Sequence, residues 1–192
     1  MTTVSGKARK FLTSLAILVL AIPLVVSVDP ARSAASATAV RSIGEPVTPP
    51  DDNLWLYNGG YSRLCALAPS NAEWAPVTQY QCGSYKDQKW NFIPVYTTPE
   101  GPYYLIQNVN SQKCLFMPAG SSAKAGQGDC SYHFNDMYWF IEDAGVGGGV
   151  RFRNKERNNC LRSPSTVWGA QLTQYQCLPY QDQAWDFFLP RS

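Results

Sequence analysis

The sequence predicts an all-β fold of three four-stranded units closed about a pseudo-threefold axis, and three observations predict it. The run Thr78-Gln79-Tyr80-Gln81-Cys82, followed by Tyr85, Asp87-Gln88 and Trp90, returns as Thr173-Gln174-Tyr175-Gln176-Cys177, then Tyr180, Asp182-Gln183 and Trp185. The nine identities keep one fixed offset of 95 residues. That offset leaves room for one more unit, and a degraded copy stands there as Cys130 followed by Met137-Tyr138-Trp139. Between these landmarks the apolar runs are short, are punctuated by Gly, Pro and Asn, and carry no helical period. A unit of about 40 residues cannot bury its apolar face alone, so three must pack together, and closure removes exposed sheet edges.

In chain order, residues 1–37 read as a secretory leader. Lys7, Arg9 and Lys10 precede an apolar stretch from Phe11 to Val28, and small residues from Ala34 to Ala39 offer cleavage sites. Residues 38–52, with Pro46, Pro49 and Pro50, read as an extended, mobile linker. The domain is expected over 53–192, with units at about 53–94, 103–143 and 150–189. In the first unit, strands are expected at Leu54–Tyr57, Arg63–Ala68, Val77–Gln81 and Trp90–Pro94, with Thr97 to Pro102 joining it to the second. The second unit repeats this plan from Tyr103, with a poor third strand at Gly126-Gln127-Gly128 and one extra residue between Cys130 and Trp139. Gly145 to Gly149 forms a flexible joint to the third unit. Trp90, Trp139 and Trp185 are expected as shared core, together with Phe92, Ile141 and Phe187.

Once the leader is removed, 12 basic and 13 acidic residues remain, a formal charge of −1. The basic balance of the whole chain therefore resides in the leader, and no nucleic-acid partner is expected. The alternating Arg151, Arg153, Lys155 and Arg157 read as the solvated face of a strand. Six cysteines behind an export leader imply disulfides. The repeat selects one pairing of the 15 conceivable, two per unit: Cys65–Cys82, Cys114–Cys130 and Cys160–Cys177, each closing a loop worth about 3 kcal/mol. No metal or other cofactor is expected, since no C-x-x-C pair exists and His133 is the sole histidine. No nucleophile motif or catalytic carboxylate pair can be assembled either, which argues against an enzyme.

The paired cysteines around a long connection, with Gln88-Lys89-Trp90 and Gln183-Ala184-Trp185 on the last strand of their units, resemble the ricin-type lectin β-trefoil. The resemblance implies a β-trefoil with one disulfide per repeat and a secreted carbohydrate-binding module. Its partner would be a glycan or polysaccharide, bound by a monomer with no membrane attachment after leader cleavage. It also implies how sugar is held: an aromatic two residues before the second cysteine stacks on the ring, and an acid before Gln-x-Trp accepts hydroxyls. A second Asp, two residues after the first cysteine, accepts from the other side. Tyr80 with Asp87 and Tyr175 with Asp182 furnish units one and three, whereas Gly128 leaves unit two without a platform. Leu67, Phe116 and Arg162 stand where the second acid belongs. Trp74 and Trp168, in the long connections of units one and three, are expected to wall Tyr80 and Tyr175 in its place, giving up to two weak sites. A trefoil that has lost sugar binding and serves as a protein-interaction or toxin-accessory module is the alternative. Arg162 is expected either to pair with Asp182 or to favour an acidic sugar.

Overall fold

The computed structural model describes residues 43–50, 52–118 and 123–188, so the leader and the first part of the expected linker lie outside the described residues. Twelve strands fall four to a unit. Unit one holds β1 (Leu54–Tyr57), β2 (Cys65–Leu67), β3 (Thr78–Tyr80) and β4 (Lys89–Thr98). Unit two holds β5 (Gly101–Asn108), β6 (Cys114–Phe116), β7 (Gly126–Gly128) and β8 (Trp139–Asp143). Unit three holds β9 (Val150–Asn154), β10 (Asn159–Arg162), β11 (Thr173–Gln176) and β12 (Asp186–Phe188).

The first and last strands of each unit make a ring. β1 pairs with β4, β4 with β5, β5 with β8 and β8 with β9, all antiparallel. Closure comes from β12 pairing with β1 and from the single bridge between Val150 and Trp185. The middle strands form three hairpins, β2–β3, β6–β7 and β10–β11. β4 and β5 run on past the expected joint into a tight turn at Thr98–Gly101, with a register shift between Pro94 and Tyr96.

Alternation along these strands puts the apolar set inside. Trp90, Trp139 and Trp185 are fully buried with Leu54, Leu56, Ile106, Ile141, Phe152 and Leu161 around them. Each indole N–H donates to a carbonyl 24 residues earlier: Trp90 to Ala66 (3.2 Å), Trp139 to Leu115 (3.0 Å) and Trp185 to Leu161 (3.1 Å). The tryptophan therefore fills the core and also ties the last strand of its unit to the second. Gln88 and Gln183 explain the rest of their motif. Gln88 Nε2 donates to the Gln81 carbonyl (2.8 Å) while its Oε1 accepts from the Gly83 N–H (2.6 Å), and Gln183 repeats both bonds on Gln176 and Leu178. Met137, buried at the equivalent place, can make neither. The three disulfides join the expected cysteines within each unit.

Two expectations are corrected. The described part of the segment expected as a mobile linker is packed against unit two: the Val47 N–H donates to the Ile141 carbonyl (2.8 Å), Gly44 to Asp143 (3.1 Å), and Val47 joins the core. Nor do Arg151 and Arg153 lie on a solvated face, whereas Lys155 and Arg157 are exposed as expected. Arg151 is buried and paired with buried Glu142 (2.7 Å), which also holds Arg153 Nε (3.1 Å). A buried guanidinium needs an internal partner, and Glu142 supplies it.

Candidate functional site

A buried glutamine in the middle of each hairpin's second strand decides which loop meets which unit. Gln79, Gln127 and Gln174 are all buried. Gln79 Nε2 donates to the carbonyls of Ser165 (2.5 Å) and Val167 (3.1 Å), Gln127 Nε2 to Ser70, and Gln174 Nε2 to Pro118 (3.0 Å). Each long connection is thus pinned to a neighbouring unit: the third unit's on the first, the first's on the second, the second's on the third. The residue after each glutamine is the platform position, Tyr80, Gly128 or Tyr175.

This pinning corrects the expected partners of the two loop tryptophans. Trp168 stands beside Tyr80, ring centroids 5.0 Å apart and planes inclined by 50°. The two rings form an open wedge, 41% and 56% exposed. Trp74 lies instead over unit two, edge-on to Phe116 (5.3 Å) and stacked on Tyr132 (5.7 Å), which stacks in turn on Phe134 (5.4 Å). A Cβ on Gly128 would come within 3.3 Å of the Trp74 ring and 2.9 Å of Met137 Cε, so the missing platform leaves the space that Trp74 covers. Tyr175 gains no aromatic wall, because Pro118 to Ala125, the connection of unit two, contains no aromatic residue.

The acids before Gln-x-Trp sit on 3-10 turns, Lys86–Gln88, Asn135–Met137 and Gln181–Gln183. Their carbonyls are fixed: that of Asp87 accepts from the Ala68 N–H (2.9 Å) and from Asn108 Nδ2 (2.8 Å), and that of Asp136 from the Met117 N–H (3.0 Å) and Asn154 Nδ2 (2.7 Å). Asp182 accepts from the Ser163 N–H (2.8 Å). In unit three, Arg162 Nη2 reaches Asp182 Oδ2 at 3.0 Å, and its guanidinium carbon lies 5.5 Å from the Tyr175 ring centroid. The residue two after the first cysteine therefore faces the acid across the site. In unit one Leu67 holds that position and offers no charge. Asp87 Oδ1 is buried without a hydrogen-bond partner among the described residues. Burial pushes the Asp87 carboxyl above its ordinary value, offset in part by backbone N–H groups. Asp182 is also raised by burial, against the opposing charge of Arg162.

A raised carboxyl makes a testable statement about stability. The native state holds the proton more tightly than the unfolded chain. The stabilisation is therefore fully present below the unfolded value of 3.8 and is lost as pH rises through the raised folded value. Asp87→Asn is accordingly expected to raise the melting temperature at pH 7 and to flatten its fall just above pH 4, as followed by calorimetry.

Several site residues escaped the sequence reading. Tyr132 and Phe134 build the stack over unit two, and Asn58, Asn108 and Asn154, all fully buried, hold the turns. Phe134 had a signal: it lies five residues before Trp139, as Tyr85 and Tyr180 lie before Trp90 and Trp185. The inserted residue after Cys130 obscured it. Among the described residues, the one cluster of metal-ligating types is Glu142 with Cys160 and Cys177, whose sulfurs are joined in a disulfide and so are not thiolates.

Residues 86–175 match the model of the ricin-type beta-trefoil lectin domain-like family. The fold is a β-trefoil, and its middle part is similar to the ricin-type family. Solved structures similar to this trefoil include ThreeFoil, a designed 3-fold symmetric protein, at 21% identity and a TM-score of 0.63, covering 70% of this chain and 96% of that one. The exo-beta-1,3-galactanase 1,3Gal43A from Clostridium thermocellum aligns at 19% identity and a TM-score of 0.64, covering 74% of this chain but only 31% of the galactanase. The Polyporus squamosus lectin, solved bound to the epitope Neu5Aca2-6Galb1-4GlcNAc, aligns at 13% identity and 0.61, covering 73% of this chain and 50% of that one. At these identities the likeness is one of fold. No curated protein sequence matches the chain.

Proposed function

We propose that this trefoil is a secreted, non-enzymatic carbohydrate-binding module, monomeric, whose principal site is the wedge of Tyr80 and Trp168 with Asp87 as acceptor. The observation that carries the reading is the pairing of two half-exposed, inclined rings at unit one, the unit that also carries Asp87. A sugar offers an apolar C–H face to a ring and hydroxyls to an acceptor, so a platform, a wall and one carboxylate suffice to hold it. The solved Polyporus lectin, with its bound glycan, supports the same class of ligand. Three disulfides support an oxidising, extracellular destination.

Unit three is the weaker site, since Asp182 is engaged by Arg162, which also lies over Tyr175. Arg162→Leu, which puts the leucine of unit one opposite Asp182, is expected to strengthen retention on a polymeric glycan several-fold by adding a second foothold. Retention on polysaccharide resin measures it. A glycan array and a polysaccharide pull-down with the oxidised protein test the function itself, and retention of no glycan would refute it.

The exposed stack of Trp74, Tyr132 and Phe134 favours a second reading, a protein-contact surface on unit two. Under that reading Trp74→Ala abolishes partner capture while Tyr80→Ala leaves it intact.

A further inference from the structure

The ring of strands closes where unit three meets unit one, and that seam holds a cavity of about 350 Å³. Tyr57 on β1 and Asp186 on β12 are direct cross-strand partners, so their side chains emerge next to each other on one face. Gly59, Gly60, Gly149 and Gln181 also line it.

Glycine keeps the cavity open. A Cβ on Gly59 would lie 2.5 Å from Asp186 Oδ2 and 3.0 Å from the Tyr57 ring, and one on Gly149 would lie 3.4 Å from Asp186 Oδ1. On Gly60 it would meet Gln181 Cβ at 3.2 Å. Two loops far apart in sequence thus bring bare backbone up to one carboxylate. The other seams are furnished differently. Asn91 faces Gln107, and Phe140 faces Arg153, whose guanidinium carbon lies 4.6 Å from the ring centroid. Among the described residues Asp186 makes no side-chain hydrogen bond or ion pair, and burial alone pushes its carboxyl upward.

We propose that this seam cavity binds a primary ammonium group carried on a body of monosaccharide size, the ammonium seated between the Asp186 carboxylate and the Tyr57 ring. A half-buried, unpaired carboxylate gains most from a ligand that brings a charge and N–H donors together, and an adjacent aromatic ring adds attraction for the same cation. A neutral polyol supplies no charge, and an acetylated amine supplies neither the charge nor the compact donor. The volume matches one sugar ring and not a chain of them.

Amide chemical-shift titrations of the oxidised protein with glucosamine, glucose and N-acetylglucosamine test the proposal. Glucosamine is expected to move the signals of Gly59, Gly60 and Gly149 saturably, while the other two leave them in place. Asp186→Asn, nearly isosteric, is expected to weaken glucosamine binding about tenfold or more, the loss of one hydrogen bond to a charged group. Equal shifts with glucose, unchanged binding in Asp186→Asn, or glucosamine shifts confined to Tyr80 and Trp168 would each overturn it. The hairpin site is read separately at Tyr80 and Trp168, so failure at one site leaves the other standing.

Discussion

Replacing either Tyr80 or Trp168 with alanine is expected to lower glycan affinity about tenfold or more, and Trp74→Ala is expected to leave it unchanged at unit one. Each ring covers one side of the wedge, and the apolar area that a bound sugar takes from water there is worth roughly 1.5 kcal/mol or more. The contrast between the two tryptophans is the informative part. Both stand in equivalent loops, but the buried glutamine pins send Trp168 to Tyr80 and Trp74 to Phe116 and Tyr132. Isothermal titration with a retained glycan reads the affinities, and thermal melts exclude unfolding as the cause. Equal losses in Trp168→Ala and Trp74→Ala would contradict the assignment.

Glu142→Gln is expected to destabilise the trefoil by about 3 kcal/mol or more, a fall of roughly 6–12 °C in melting temperature. Glu142 Oε1 accepts from Arg151 Nη2 (2.7 Å) and Oε2 from Arg153 Nε (3.1 Å), while Arg153 Nη2 continues to Glu100 (3.0 Å). The side chains of Glu142 and Arg151 are only 6% and 7% exposed, so solvent cannot replace the lost charge. Without it Arg151 is a buried cation with no counter-ion, whereas removing both members spares that penalty. Glu142→Leu combined with Arg151→Met is therefore expected to recover much of the loss, and the double-mutant cycle measures the coupling. Independent, additive losses would show that the pair contributes no specific interaction.

How much could be read from sequence follows from what repeats. The tryptophans and cysteines occur once in every unit at nearly constant spacing, so the core and the disulfide pairing followed directly. Tyr80, Asp87, Tyr175 and Asp182 could be placed for the same reason, because they move with the motif that carries them. The partners of Trp74 and Trp168 could not be read. Loop-to-unit docking is set by hydrogen bonds from Gln79 and Gln127 across about 57 to 88 residues, and periodicity within a unit says nothing about which neighbour receives its loop. Arg151 reads as solvated for a related reason: it meets Glu142 only because β8 and β9 pair in the ring. The segment at 43–50 gave no pattern of its own, since it borrows the edge of unit two through Val47 and Gly44.

The central claim is that unit one holds sugar between Tyr80 and Trp168, and a crystal of the oxidised protein soaked with a glycan retained on the array tests it most directly. The expected result is a sugar ring stacked on Tyr80, bounded by Trp168, with a hydroxyl donating to the Asp87 carboxylate. A glycan bound elsewhere, with the Tyr80 and Trp168 rings bare, would contradict it.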